Sequence, residues 1–127
     1  MKRVVLAAGL VLGLGGPAVS DPVLGTWKTQ EDDGAFAHVA MEPCGSAICG
    51  TIRRTFRAGG EYASPNIGKP LLWDMQPRGA GSYNSGRIWQ PSTDKVFKSK
   101  MALSGDVLNV SGCWGPICKR QVWTRVR

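Results

Sequence analysis

After residue 20, the chain alternates apolar and polar residues over short stretches, which are separated by turns rich in glycine, proline, serine and aspartate. Alternation with a period of two is typical of strands that bury one face. In residues 48–56, for example, we expect Ile48, Ile52 and Phe56 to share the buried face. We predict about eight short strands, at residues 23–30, 36–42, 48–56, 71–75, 87–90, 96–103, 107–112 and 119–126.

Strands of this number and length, joined by tight turns, close readily into an up-and-down antiparallel barrel, because closure leaves no strand edge exposed. We therefore predict an all-β fold, a small up-and-down antiparallel barrel of about eight strands; a β-sandwich is the alternative. Residues 57–82 are rich in glycine and proline and interrupt the pattern. Within them, only residues 71–75 are predicted to be ordered.

The N-terminal residues have the features of a secretory signal peptide. Two basic residues precede an apolar run at residues 4–14, and small residues at Ala18 and Ser20 favour cleavage before Asp21. The apolar run is shorter than the roughly 20 residues that a membrane helix needs. We therefore expect a leader at residues 1–20, export to the periplasm, and a single barrel domain at residues 21–127 without a transmembrane segment.

The four cysteines form two pairs, and each pair has four residues between its members. An even number of cysteines in an exported chain predicts disulfides. A hairpin with a four-residue loop would place Cys44 opposite Cys49, and Cys113 opposite Cys118, within disulfide reach. Local pairing is therefore favoured, and crossed pairing or thiols that are unpaired or bound to zinc are the alternatives. The segment GCWGPICK lacks the C-x-x-C spacing of thioredoxin, so we expect no redox catalysis.

Two motifs at the ends of the predicted barrel resemble the calycin signature shared by lipocalins. Gly25-x-Trp27 lies on the first strand and Arg125 lies near the end of the last. The segments CGSAICG, GRIWQP and QVWTR extend the resemblance to an exported bacterial family, domain of unknown function 2147, over residues 24–126. The resemblance implies a lipocalin-like barrel in the cell envelope, with Arg125 packed over the ring of Trp27 to close one end. It implies no reaction.

The formal net charge is +7, and Lys2 and Arg3 belong to the predicted leader, which leaves +5 on residues 21–127. A basic surface attracts anions. For an exported protein, an anionic envelope surface is a more suitable partner than nucleic acid, unless the charge serves solubility alone. We expect His38 to face solvent and residues 31–33 to form a plain polar turn. With no nucleophile motif and no paired acid and base, we expect no enzyme activity, no cofactor and no metal.

These observations lead us to expect a binding module for a small apolar or amphiphilic ligand. The alternative is a protein-interaction module, such as an inhibitor or accessory factor of a cell-wall enzyme. A hollow barrel would favour the first, and a filled barrel the second. Aromatic residues near the mouth either cover a ligand or plug the barrel, and the short chain favours a plug. The candidate ligand-lining residues are Val39, Ile52, Met101, Val110, Trp73 and Trp89.

Overall fold

The computed structural model describes residues 20–127, so the predicted signal peptide lies outside the described residues except for Ser20. In this part of the chain the secondary structure consists of nine strands. The strands are β1 (Gly25–Lys28), β2 (Phe36–Cys44), β3 (Ala47–Arg57), β4 (Gly60–Tyr62), β5 (Pro70–Gly79), β6 (Ser82–Gln90), β7 (Lys95–Ser104), β8 (Val107–Trp114) and β9 (Ile117–Arg125).

Eight of these strands close into an antiparallel barrel, which confirms the predicted fold class. The circuit runs β1-β2-β3-β5-β6-β7-β8-β9 and returns to β1. The last contact joins the two ends of the domain, because Trp27 on β1 lies opposite Arg125 on β9. The short strand β4 lies outside the circuit and pairs with the end of β3.

The alternation predicted for the second half of the chain is present in β7 and β8. Met101 and Val110 are buried and lie opposite each other, whereas Lys98 and Lys100 are exposed on the outer surface. The apolar side chains that point inward from all parts of the barrel form one core cluster. Its fully buried large members are Trp27, Trp123, Met41, Ile52, Leu72, Met75 and Leu108.

Phe56 is an exception to the predicted alternation in β3. The register places Val39 opposite Ile52 but His38 opposite Arg54, so β3 carries one extra residue at this point. Such a bulge reverses the faces of the residues that follow it. Thr55 is consequently buried, and Phe56 packs on the outside, stacked on Phe36 with a ring-centroid distance of 4.8 Å.

Residues 57–82 are more ordered than their composition predicts, because they contain both β4 and the ten-residue strand β5. The prediction of residues 71–75 covers only half of β5, because residues 76–79 carry no buried apolar side chain that would mark a strand. Leu71, Leu72 and Met75 are all buried, and Asp74 between them has a positive φ of 57°. A residue in this conformation changes the direction of the strand, so the period of two is lost locally.

Candidate ligand site at the open end of the barrel

The strand directions divide the barrel into two ends with different connections. At one end, tight turns join β2 to β3, β5 to β6 and β7 to β8. At the other end lie the longer connections at residues 29–35 and 58–69, the turn at 91–94, and the tip of the β8–β9 hairpin. We call these the closed end and the open end.

The pair Trp27 and Arg125 lies at the closed end. The Trp27 side chain is fully buried, and its Nε1 donates a hydrogen bond to the carbonyl oxygen of Val23 at 2.8 Å. The guanidinium carbon of Arg125 lies 4.4 Å from the Trp27 ring centroid. Its Nη1 and Nη2 donate to the carbonyl oxygens of Leu24 at 3.1 Å and Pro22 at 2.8 Å. Arg125 therefore fixes the segment that precedes β1 across this end.

Two further polar contacts hold the same end together. Asp106 accepts hydrogen bonds from Arg127 at 2.6 Å and from Arg125 at 3.0 Å. These two guanidinium groups, Arg127 foremost, lower the pKa of the Asp106 carboxyl. The Tyr83 hydroxyl donates to Asp21 at 2.5 Å, and burial is the main reason why the pKa of Tyr83 is raised.

The open end leads into a cavity of about 520 Å³. This volume is within the range of roughly 300–1,000 Å³ that is usual for small-molecule sites. Its walls come from strands on all sides of the barrel, so only the folded barrel creates them. The apolar wall residues are Ile52, Leu71, Ile88, Phe97 and Val110.

Strand β9 supplies one continuous side of the cavity. Ile117, Lys119, Gln121 and Trp123 follow one another at every second position, and all four line the cavity. Their exposure falls along the strand, from 66% at Ile117 to 1% at Trp123. Gln121 Oε1 accepts a hydrogen bond from Trp123 Nε1 at 3.0 Å, so the buried indole N–H below the cavity has a hydrogen-bond acceptor.

Polar and charged groups are concentrated at the rim. Asp32 accepts a hydrogen bond from the Ser92 hydroxyl at 3.1 Å, which joins two of the loops at the open end. The Arg57 guanidinium carbon lies 3.9 Å from the Tyr62 ring centroid. Lys119 also lines the cavity, and within residues 20–127 no carboxylate forms an ion pair with it. The cavity thus has an apolar interior and a charged entrance.

Residues 25–125 match a family described as "Uncharacterized protein conserved in bacteria (DUF2147)". The chain belongs to this family. The match starts at Gly25 and ends at Arg125, so it includes all nine strands of the DUF2147 domain. No functionally curated protein matches the chain.

The DUF2147 barrel is similar to a solved structure described as "Protein HP1028 from the human pathogen Helicobacter pylori belongs to the lipocalin family". The TM-score is 0.67, the sequence identity is 18%, and the alignment covers 85% of each chain. A likeness at this identity shows the fold alone. The DUF2147 domain is therefore lipocalin-like in architecture.

The structure divides the candidate ligand-lining residues of the DUF2147 barrel into two groups. Ile52, Val110 and Trp89 line the cavity. Val39 and Met101 do not, although all four aliphatic candidates are buried in the same core cluster. Alternation predicts which side chains point into the barrel. It does not predict at which residue of a strand the packed core ends and the cavity begins.

Trp73 also lies away from the cavity. It is half-buried on β5, opposite Arg87 of β6. Trp89 lies at the rim, where its Nε1 donates to Asp94 at 2.8 Å and Lys69 approaches its ring at 5.5 Å. Trp114 is 76% exposed, so the predicted aromatic plug is wrong. Buried tryptophans fill the closed half instead, and the open half stays hollow.

Several cavity residues were not among the candidates. The pattern on β9 could have indicated Gln121 and Trp123, but Lys119 interrupts its apolar positions and is typical of a solvent-facing residue. Gly112 carries no side chain that would mark the cavity wall. Its position becomes informative only because Ile88 and Phe97 lie across from it.

The structure joins Cys44 to Cys49 and Cys113 to Cys118. The two bridges have different registers despite their equal spacing. Cys113 lies directly opposite Cys118, whereas Cys44 lies opposite Ala47, so the first bridge runs diagonally across its hairpin. The expected four-residue loops are wrong, because two-residue turns connect both pairs of strands.

His38 lies on the outer face of β2, against the ring of Phe56 at 4.7 Å. It is half-buried rather than fully solvated. Burial, followed by the nearby Arg54, lowers the pKa of His38. Of the polar turn at residues 31–33, Asp32 and Asp33 line the cavity.

Residues 20–127 contain no cluster of three or more metal-ligating side chains. A helix long and apolar enough to cross a membrane is also absent from these residues.

Proposed function

We propose that this protein binds a small apolar or amphiphilic ligand in the open half of the barrel. The cavity of about 520 Å³ with an apolar wall is the observation that carries the proposal. Burial of an apolar chain against Ile52, Leu71 and Val110 would supply the affinity, at about 25 cal/mol per Å² of apolar surface removed from water. The rim, with Lys119, Arg57 and Asp32, suits the polar end of an amphiphile. The proposed role is binding and not catalysis.

Gly112 allows the cavity to be filled by a single substitution. A Cβ at this position would lie 3.4 Å from Ile88 and 3.6 Å from Phe97, which are ordinary packing distances. In Gly112→Leu, the remainder of the side chain would extend into the cavity. Asn109→Leu adds the same kind of side chain to the same strand, at a position outside the cavity lining, and is the matched control.

The test is a titration with N-phenyl-1-naphthylamine, a neutral apolar dye that becomes fluorescent in apolar sites. We expect the wild-type protein and Asn109→Leu to bind the dye equally, and Gly112→Leu to bind it at least roughly tenfold more weakly. Native mass spectrometry of protein purified from its own compartment would identify a bound natural ligand. Equal binding by all three proteins would contradict the proposal, as would the absence of both dye binding and any co-purified ligand.

We also propose that the protein is exported to the periplasm. The leader-like residues 1–20 support this, and so do the two disulfides, since such bonds persist mainly in oxidising compartments. Cell fractionation and N-terminal sequencing test the proposal. We expect a periplasmic protein that begins at Asp21, and a cytoplasmic protein that retains Met1 would contradict it.

A protein-interaction role is the second candidate, because two large apolar side chains, Trp114 and Ile117, protrude at the open end. The net positive charge would oppose association with a basic enzyme such as a lysozyme. A specific partner captured by the wild-type protein, and lost on replacement of Trp114, would favour this role.

A further inference from the structure

The β8–β9 hairpin ends in an exposed apolar pair. Trp114 and Ile117 lie opposite each other, and at 76% and 66% they are the most exposed large hydrophobic residues in the described chain. We call this pair the tip. Gly115, with a φ of +59°, and Pro116 form the turn between them. The Cys113–Cys118 bridge joins the next position of the ladder, so the tip stands on a cross-linked base.

The strands that lead to the tip carry positive charge. Strands β6 to β9 contain basic residues but no aspartate or glutamate. Four of the basic side chains are exposed on the outer surface, and we call them the basic face. They are Arg87, Lys98, Lys100 and Arg120.

The strand register places the basic face near the tip but on the other face of the sheet, since Trp114 and Ile117 lie on the cavity side and the basic face lies on the outer side. Arg87, Lys98 and Cys113 lie in one cross-strand row, next to the row of the tip. Lys100 and Arg120 lie on either side of Ser111. Ser111 is two residues, or about 7 Å along the strand, from Cys113, in the direction away from the tip.

The basic face lacks the ion pairs that neutralise other basic residues of the barrel. On β3, Arg53 lies 3.5 Å from Glu42, and Arg54 binds Glu61. Within residues 20–127, no carboxylate lies within ion-pair distance of any member of the basic face. The positive charge of the basic face is therefore available to an external anion.

An apolar tip that includes tryptophan, next to unpaired basic side chains, has the chemistry of a membrane-interface anchor. Tryptophan is enriched where one end of a side chain is apolar and the other is wet. Basic residues bind anionic lipid head groups while their aliphatic stems cover apolar surface. We propose that the tip inserts into the interfacial region of an anionic lipid bilayer and that the basic face binds the head groups.

This docking goes beyond ligand binding and does not require it. Trp114 and Ile117 also line the entrance of the cavity. Docking by the tip would therefore bring the open end to the lipid surface, where an amphiphile can pass between bilayer and barrel without crossing bulk water.

The test is co-sedimentation of the purified protein with vesicles of phosphatidylcholine alone or mixed with phosphatidylglycerol. All variants are prepared in the same processed form, so that any contribution of the N-terminal segment is common to all. We expect binding to the anionic vesicles only, with a blue shift in tryptophan fluorescence and a loss of binding at high salt.

Two double variants separate the parts of the surface. We expect Trp114→Ser with Ile117→Ser to weaken binding at least roughly tenfold. We expect Lys98→Gln with Lys100→Gln to weaken it about 25-fold, at roughly fivefold for each basic residue.

The matched controls carry equivalent changes elsewhere on the surface. Val107→Ser with Val122→Ser removes exposed apolar side chains away from the tip, and Arg53→Gln with Arg54→Gln removes basic residues that are already paired. We expect both controls to bind vesicles like the wild-type protein.

Several outcomes would overturn the docking proposal. They are no binding to anionic vesicles, binding that the tip and basic-face variants leave unchanged, and binding that the control variants weaken equally. A protein partner whose binding requires Trp114, in the absence of vesicle binding, would replace the bilayer as the occupant. Dye binding without vesicles tests the cavity separately. Lys98→Gln with Lys100→Gln, whose side chains lie outside the cavity lining, retains dye binding if only docking is lost, and Gly112→Leu retains docking if only the cavity is lost.

Discussion

Replacement of Arg125 by alanine is expected to destabilise the closed end of the barrel by about 3 kcal/mol. Only 16% of the Arg125 side chain is exposed, and it joins β9 to the segment that precedes β1. The substitution removes the cation from the Trp27 ring and leaves the carbonyl oxygens of Leu24 and Pro22 without their donors.

The magnitude follows from these contacts. A cation over a tryptophan ring contributes about 0.5–2 kcal/mol. Each hydrogen bond from a charged donor contributes roughly 1.5–3 kcal/mol when buried, and less here because water can reach the carbonyl oxygen of exposed Pro22. The ion pair with Asp106 adds little to this sum, since the Asp106 side chain is 56% exposed.

The assay is urea unfolding followed by tryptophan fluorescence. With a slope of about 1.5 kcal/mol per M, a loss of about 3 kcal/mol lowers the midpoint by about 2 M. We expect Arg125→Lys to recover little of this loss, because an ammonium group cannot reproduce the planar set of donors.

Arg127→Ala is the matched control. Arg127 binds the same carboxylate at 2.6 Å, but its side chain is 72% exposed. We expect its loss to lower the midpoint only slightly, because exposed ion pairs contribute little to stability. If Arg125→Ala lowered the midpoint no more than Arg127→Ala, the contacts with Trp27 and the two carbonyl oxygens would not stabilise the closed end, and the reasoning would be refuted.

Two further predictions concern stability. In Gly50→Ala, the Cβ would lie 2.8 Å from Val39 Cγ1, so we expect a loss of about 1–3 kcal/mol in urea unfolding; Gly59→Ala, which meets open space, should change it by less than about 0.5 kcal/mol. The fold lowers the pKa of His38 from its ordinary value of 6.5. As the pH falls below 6.5, the His38 side chain of the unfolded chain is therefore protonated before that of the folded chain, and the folded state loses stability. Unfolding at about pH 7 and about pH 5.5 should show a smaller decrease in His38→Gln than in the wild type, and equal decreases would disprove the role of His38.

Local sequence patterns were sufficient to predict the architecture. The period of two in β7 and β8 is a property of neighbouring residues, and each strand needs only its own pattern to show which face is buried. The frequent turns then favour antiparallel pairing of consecutive strands. The family resemblance was carried by short motifs at both ends of the chain, and residues 25–125 match that family.

Local irregularities could not be predicted in the same way. The extra residue in β3 and the positive φ of Asp74 in β5 depend on how each strand fits its neighbours. The extra residue in β3 moved Phe56 to the outside, and the positive φ of Asp74 placed Met75 inward, three residues after the buried Leu72. The equal spacing of the cysteine pairs likewise concealed two different registers, because register depends on the turn as well as on the spacing.

The sequence by itself determined that this protein is a small antiparallel barrel with two pairs of cysteines and a basic surface, because alternation, turn residues and charge can be recognised one segment at a time. Only the tertiary structure decided where the barrel is hollow and where the charge is unpaired. Those properties depend on residues from distant strands: Trp27 and Trp123 fill the closed half, whereas Gly112 and its neighbours leave the open half accessible. The same closure places Trp114 and Ile117 beside the entrance and the basic residues of β6, β7 and β9 on one outer face.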